Sequence, residues 1–338
     1  MRAMGATGAL RGSFLAAGAA APERCLAVDG VIAGAQFTLS HWRGAPPPPP
    51  HLDGDTSSAM LLAAAADGGR ALAGLEWACN DHVDADGLIA VALACRPELA
   101  SAGELLIGAA EAGDFAAYPG ASAYRLMLRL HQHLRACRAQ GAGWEQAIYA
   151  GIAAAMPGLI SESARRDPER DAQLTLVEAV RARLRAQDGF TLTRAPGLLT
   201  ISWRKRAGQA GDPFCAVHQA EDLPLIAIDA VAGIGEGQLL AMAEGGGTVY
   251  RLDAPRHSWA RTVVHPPWAW PDLTAVAARL QVEEGAGGCR WLARPLAAGL
   301  GFTCLLGSAQ AQSAAPAASR LPPELVERTC AEALAARS

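Results

Sequence analysis

The spacing of apolar and polar positions changes near residue 189. Before that point, apolar runs of strand length alternate with runs of helix length, and the turns between them are rich in Asp, Gly and Ser. Residues 25–30, 36–39, 75–79 and 105–110 predict strands, and 59–66 and 88–94 predict helices, the first with Thr56 or Ser57 as N-cap. Three further helices are predicted over 122–140, 144–156 and 163–187, the last laced with Arg and Glu as a solvated helix is. After residue 189 the period shortens to two. Residues 190–193 and 198–204 flank an Ala195-Pro196-Gly197 turn, and 225–228, 238–242 and 248–252 continue the strand pattern, with glycines 245–247 as a hairpin connection. A helix over 273–284, an Ala/Ser/Pro/Gln linker over 307–320 and a terminal helix over 323–336 complete the pattern.

Strand–turn–helix alternation followed by strand–turn–strand alternation predicts an α/β protein. Its first domain holds a mostly parallel sheet with flanking helices and ends in a helical connector; its second is smaller, β-rich and α+β. The expected boundaries are a flexible extension at 1–24, the α/β domain with its connector at 25–187, the β-rich domain at 188–306, and a linker with terminal helix at 307–338.

Composition narrows the class. The 338 residues are 51% hydrophobic and 18% charged, enough for two cores and too apolar for a disordered chain. A net charge of −4 excludes a general nucleic-acid-coating surface. Lys205 is the only lysine, so abundant Arg reflects coding bias rather than phosphate binding. The eight cysteines are scattered without a Cys-x-x-Cys pair, which predicts reduced thiols and a cytoplasmic protein. No apolar run is long enough to span a membrane, and the Phe14-to-Ala21 stretch is too weakly apolar for a secretory leader.

The candidate chemistry lies at residues 80–87, Asn-Asp-His-Val-Asp-Ala-Asp-Gly, between a predicted strand and a predicted helix. In an open α/β sheet this turn falls at the carboxyl edge of the strands, where ligands bind. His82, Asp84 and Asp86 alternate there. One imidazole and two carboxylates suit a divalent ion such as Mn²⁺ better than Ca²⁺, which takes oxygen alone. The same residues also make sense without metal, the aspartates as N-caps and turn formers and the histidine as a hydrogen-bonding partner.

The run His82-Val83-Asp84-Ala85-Asp86-Gly87-Leu88-Ile89-Ala90 resembles the first motif of the DHH phosphoesterase superfamily. Other marks of that superfamily have counterparts. Ser40-His41-Trp42, followed by Asp55-Thr56-Ser57-Ser58, resembles the Asp-His-His motif; Val28-Asp29 resembles the strand-end aspartate; Asp114-Phe115 resembles the late Asp-before-Phe motif. Two of these precede the His-x-Asp-x-Asp stretch here, so the resemblance implies a circularly permuted core. Ser40 stands where the family has Asp, and Trp42 where it has a second, phosphate-holding His.

The resemblance implies a metal-dependent phosphoester or phosphoanhydride hydrolase. Its metal ligands would be Asp29, His41, His82, Asp84, Asp86 and Asp114, with His82, Asp84 and Asp86 central to catalysis. Two divalent ions, Mn²⁺ first and Mg²⁺ second, would activate water. The expected partner is a phosphorylated small molecule or short oligonucleotide. Arg43, Arg204, Lys205, Arg251, Arg256 and His257 are candidates to receive phosphate oxygens, since Arg binds them bidentately, although solvated strand ends account for them as well. The competing class is a non-catalytic nucleotide- or partner-binding protein that keeps the core, and Ser40 and Trp42 point that way. No Gly-x-Ser-x-Gly elbow, Gly-x-x-x-x-Gly-Lys loop or His-Glu-x-x-His helix offers another chemistry.

Overall fold

The computed structural model describes residues 10–204, 225–233, 235–265, 267–268, 273–286, 289–293, 304–309 and 317–335. It is a mixed α/β protein that divides into two compact units. One comprises Met1–Leu174 with Ala260–Pro266, the other Thr175–Trp259 with Pro267–Ser338.

In the first unit, strands β1 (Arg11–Phe14), β2 (Cys25–Val28), β3 (Phe37–Leu39) and β4 (Trp77–Asn80) form a fully parallel sheet in the order β1-β4-β2-β3. Helix α1 (Ser57–Ala66) follows β3 after a connection that contains the proline run 46–50, and α2 (Ala85–Cys95) follows β4 after a four-residue turn. Every residue of α2 is buried, as expected for a helix that is apolar all round. It packs on α1, on β4, on α3 (Gly103–Asp114) and on α5 (Trp144–Ser163), while α4 (Ala121–Arg138) packs on α3 and α5. Helix α6 (Ala172–Ala186) leads to the second unit. There β5 (Phe190–Ala195), β6 (Leu198–Arg204), β7 (Gly237–Glu244), β8 (Gly247–Asp253), β9 (Arg290–Ala293) and β10 (Cys304–Ala309) form a mixed sheet in the order β5-β6-β7-β8-β10-β9. Its core includes Val276, Ala277 and Leu280 of α8 (Thr274–Glu284) and Val326 and Cys330 of α9 (Pro323–Ala335). A short α7 (Leu225–Ile228) lies between β6 and β7.

Several expectations need correction. Residues 105–110 lie inside helix α3: Leu106, Ala109 and Ala110 are buried at helical spacing, and a short apolar run does not by itself distinguish a strand from a helix. The same ambiguity made 225–228 a predicted strand where α7 forms. The second predicted helix is longer, since α5 runs on through Pro157 to Ser163, and the third is shorter, since α6 starts only at Ala172. The predicted extension contains β1, which has no apolar run and forms by parallel pairing with β4. Gly12 makes that possible, since a Cβ there would lie 2.3 Å from the Tyr149 carbonyl oxygen. The predicted linker contributes Gly307, Ser308 and Ala309 to β10, and Ser319 bridges Thr248. Among the described residues, no helix is long and apolar enough to cross a membrane.

Candidate metal centre

Three parallel strands end side by side, and the chain beyond each end carries a potential ligand. Asp29 follows β2 directly, with φ at 59°, a left-handed conformation that Asp tolerates better than most residues. The Asp29 and Gly30 amides donate to the Leu39 and Val28 carbonyls, which ties this turn to the sheet. His41 lies two residues past β3. After β4 the chain turns through Asp81 to Asp84 into α2, and Asp84 is the N-cap, its Oδ1 accepting from the Gly87 amide at 2.8 Å. Asp86 follows in the first turn of α2, and Asp114 arrives at the last residue of α3. The capping role and the cluster role therefore coexist in Asp84.

All six predicted ligands meet in two overlapping groups. Asp29, His41, Asp86 and Asp114 form one, and Asp29, His82 and Asp84 the other; within each, the ligand atoms lie within 4.8 Å of one another. Asp29 belongs to both. His41 Nε2 is 3.3 Å from Asp29 Oδ1 and 3.5 Å from Asp114 Oδ2, and His82 Nε2 is 3.1 Å from both Asp29 Oδ2 and Asp84 Oδ2. The first group is buried. In the second, the His82 side chain is 31% exposed and that of Asp84 38%.

Residues that the sequence reading did not assign hold this arrangement. The Ser57 and Ser58 amides at the start of α1 donate to the two carboxylate oxygens of Asp86 at 2.7 and 2.8 Å, so a helix N-terminus faces a carboxylate, the favourable sense of the helix dipole. The Ser57 hydroxyl donates to Asp29 Oδ1. His41 Nδ1 lies 2.6 Å from the Asp55 carbonyl oxygen, and the Arg261 amide donates to the His41 carbonyl. Trp42 sets its ring edge-on to His82, with centroids 5.4 Å apart. Asp55-Thr56-Ser57-Ser58 was the available signal in the sequence. The contribution of residue 261 had none, because it lies 220 positions beyond His41.

The electrostatics are those of four acids crowded around two imidazoles. Burial opposes ionisation of Asp29, but hydrogen bonds and charge from His41 and His82 outweigh it and hold the carboxyl well below its usual range. Burial and then the charge of Asp29 push Asp86 up to about 7. Burial and then the charges of Asp86, Asp84 and Asp29 push Asp114 well above the carboxylate range. Asp84 moves up as well, through loss of solvation and through Asp29, although its exposure lets water offset part of that. Burial works against a charge on His41, yet its bond to Asp29 and the neighbouring carboxylates raise it to about 9.

Four carboxylates and two imidazoles match the donor set of a hard or borderline divalent ion. The buried Asp29 Oδ2 and Asp114 Oδ2 each face an imidazole nitrogen, at 3.1 and 3.5 Å, without a well-aligned hydrogen bond, although buried polar atoms normally have one. The cluster therefore fits a metal ion.

The candidates for receiving phosphate are placed differently. Arg43 is exposed in the first unit, its Nε donating to the Ala260 carbonyl. Within the second unit, Arg204 is exposed at the end of β6, while Arg251 and Arg256 are buried and paired with Asp253 and Asp229 rather than solvated. His257 is buried too, and Lys205 lies outside the described residues.

One family model, described as a family of unknown function (DUF6687), matches residues 11–338. No curated protein and no solved structure matches the chain. Because the match runs from the start of β1 to residue 338, the chain belongs to the DUF6687 family.

Proposed function

We propose that this protein is a metal-dependent hydrolase of a phosphoester or phosphoanhydride, built on a DHH-like core whose motifs occur in permuted order. The observation that carries this reading is the pair of ligand groups sharing Asp29 at the carboxyl edge of a parallel sheet. A shared carboxylate between two imidazole–carboxylate sets would suit a pair of divalent ions. Asp29, His41, Asp86 and Asp114 would hold the inner ion, and Asp29, His82 and Asp84 the outer one. When bound, such ions supply an acidified water and a clamp on phosphoryl oxygens; Mn²⁺ is the first choice and Mg²⁺ the second.

The chain's own residues divide the remaining work. His82 and Asp84 leave the outer position reachable, so a phosphorylated small molecule or the end of a short oligonucleotide would enter there. Burial of His41 and Asp86 excludes water from the inner position. Arg43, exposed one residue beyond Trp42, is the candidate to orient a phosphoryl oxygen.

A second reading, metal-dependent binding without turnover, is favoured by Trp42, which sets an indole against His82 where the resembled family has a phosphate-holding imidazole. Phosphate release from dinucleotides, pyrophosphate, polyphosphate and short oligonucleotides, with and without Mn²⁺, separates the two. Manganese-stimulated release supports the hydrolase, and silence across the panel from manganese-loaded protein supports the binder.

A further inference from the structure

His82 is held at both ring nitrogens, and only one of them faces the shared cluster. Its Nε2 points at Asp29 and Asp84, while its Nδ1 lies 2.9 Å from Asp81 Oδ1. Asp81 is outside both ligand groups. An ionised carboxylate can only accept, so a hydrogen on Nδ1 would stay on Asp81 while an ion took the Nε2 lone pair in place of the hydrogen that Asp29 and Asp84 otherwise draw there.

The neighbouring residues are shaped around this contact. A Cβ on Gly30 would lie 2.3 Å from Asp81 Oδ1 and 2.9 Å from Asn80 Oδ1, so glycine leaves the space that the Asp81 carboxylate fills. Asn80 Oδ1 accepts from the Asp81 amide at 2.8 Å, and Asn80 Nδ2 donates to the Tyr149 hydroxyl at 3.0 Å. Tyr149, reaching in from α5, donates to the His82 carbonyl at 2.6 Å. The backbone of His82 is thereby anchored to a helix, while Asp81 fixes its ring.

We propose that Asp81 is a positioning residue that sets the tautomer and orientation of His82 as a metal ligand. This rests on the metal-binding reading of the same cluster. A carboxylate behind a ligating histidine makes it a stronger and better-aimed donor, and loss of such a partner typically weakens metal binding about 10- to 100-fold.

The test is calorimetric titration of the full-length protein with MnCl₂, comparing wild type with Asp81→Ala and Asp81→Asn, alongside the visible spectrum of the cobalt-substituted proteins and melting in EDTA. The expected result is one class of site weakened roughly 10- to 100-fold in Asp81→Ala, with an altered cobalt spectrum, an unchanged tighter class and unchanged melting in EDTA. Asp81→Asn, which can still accept from Nδ1–H, should recover most of the affinity. Wild-type affinity and spectrum in Asp81→Ala would overturn the proposal, as would equal weakening of every site together with lower stability in EDTA, the mark of a merely structural residue. If wild type takes up no divalent ion at all, the metal-binding reading fails and the proposal fails with it.

Discussion

The inner and outer halves of the cluster use the same side-chain types in different media. His41, Asp86 and Asp114 are at most 7% exposed, whereas the side chains of His82 and Asp84 keep 31% and 38% exposure. Their supports differ accordingly. Backbone groups fix the inner half: the Asp55 carbonyl meets His41, and the α1 amides hold Asp86. The outer half is held by the Asp81 carboxylate behind His82 and by a single capping bond to Asp84. Enclosed ligands fixed by regular structure suit an ion that stays, and half-exposed ligands suit an ion that meets a substrate. Only Asp29 belongs to both.

The largest effect should therefore come from Asp29. Asp29→Asn keeps the shape and tolerates the left-handed backbone, but removes the charge that both halves share. We expect metal content to fall at both positions and metal-stimulated turnover to drop to background, read by elemental analysis and phosphate release; undiminished metal content would break the shared-ligand account. Next in size is a contrast. Asp84→Asn should cost the readily exchanged ion alone, and Asp114→Asn the slowly exchanged one, measured as the fast and slow phases of metal transfer to a chelating dye. Loss of the same phase in both variants would erase the distinction between the halves.

The same comparison shows what the sequence carried. His82, Asp84 and Asp86 were legible because one short turn contains them, and Asp29 and His41 because the strand ends preceding them are apolar and brief. Asp114 was singled out by the resemblance of Asp114-Phe115 to the Asp-before-Phe motif, on a wrongly assigned element: it ends helix α3, not a strand. Strand β1 was illegible because Arg11-Gly12-Ser13-Phe14 carries no strand pattern and owes its conformation to β4 and to the close approach of Tyr149. The hold of Arg261 on His41 joins residues too distant in sequence for any local pattern to pair them.

Protonation gives a third, smaller effect. Asp86 is raised to about 7, so the stability contributed by its neutral form is present at acid pH and is lost as pH rises through that value. Raised to about 9, His41 contributes stability that is full below its usual value and is lost as pH climbs through the raised one. Both act in one direction. In EDTA, the melting temperature should fall from about pH 5 to about pH 9, and saturating Mn²⁺ should flatten the decline, because a cation takes over from the displaced protons. A melting temperature in EDTA that rose across this window would contradict the buried, crowded cluster.

The smallest effect tests the packing beneath the outer half. A Cβ on Gly87 would sit 2.2 Å from Asn80 Nδ2, 2.8 Å from the Tyr149 hydroxyl and 3.1 Å from Asp29 Oδ2. Gly87→Ala should destabilise the metal-free protein by about 1–3 kcal/mol, the usual cost of overpacking, in urea unfolding monitored in EDTA. Wild-type stability would mean that the packing around the first turn of α2 is looser than these distances indicate.

The most direct measurement is anomalous diffraction at the manganese edge from crystals grown with MnCl₂. The account predicts two peaks flanking the Asp29 carboxylate, one among His41, Asp86 and Asp114 and the other beside His82 and Asp84. Manganese bound elsewhere with nothing at Asp29, or a single ion that leaves either histidine uncoordinated, would contradict it.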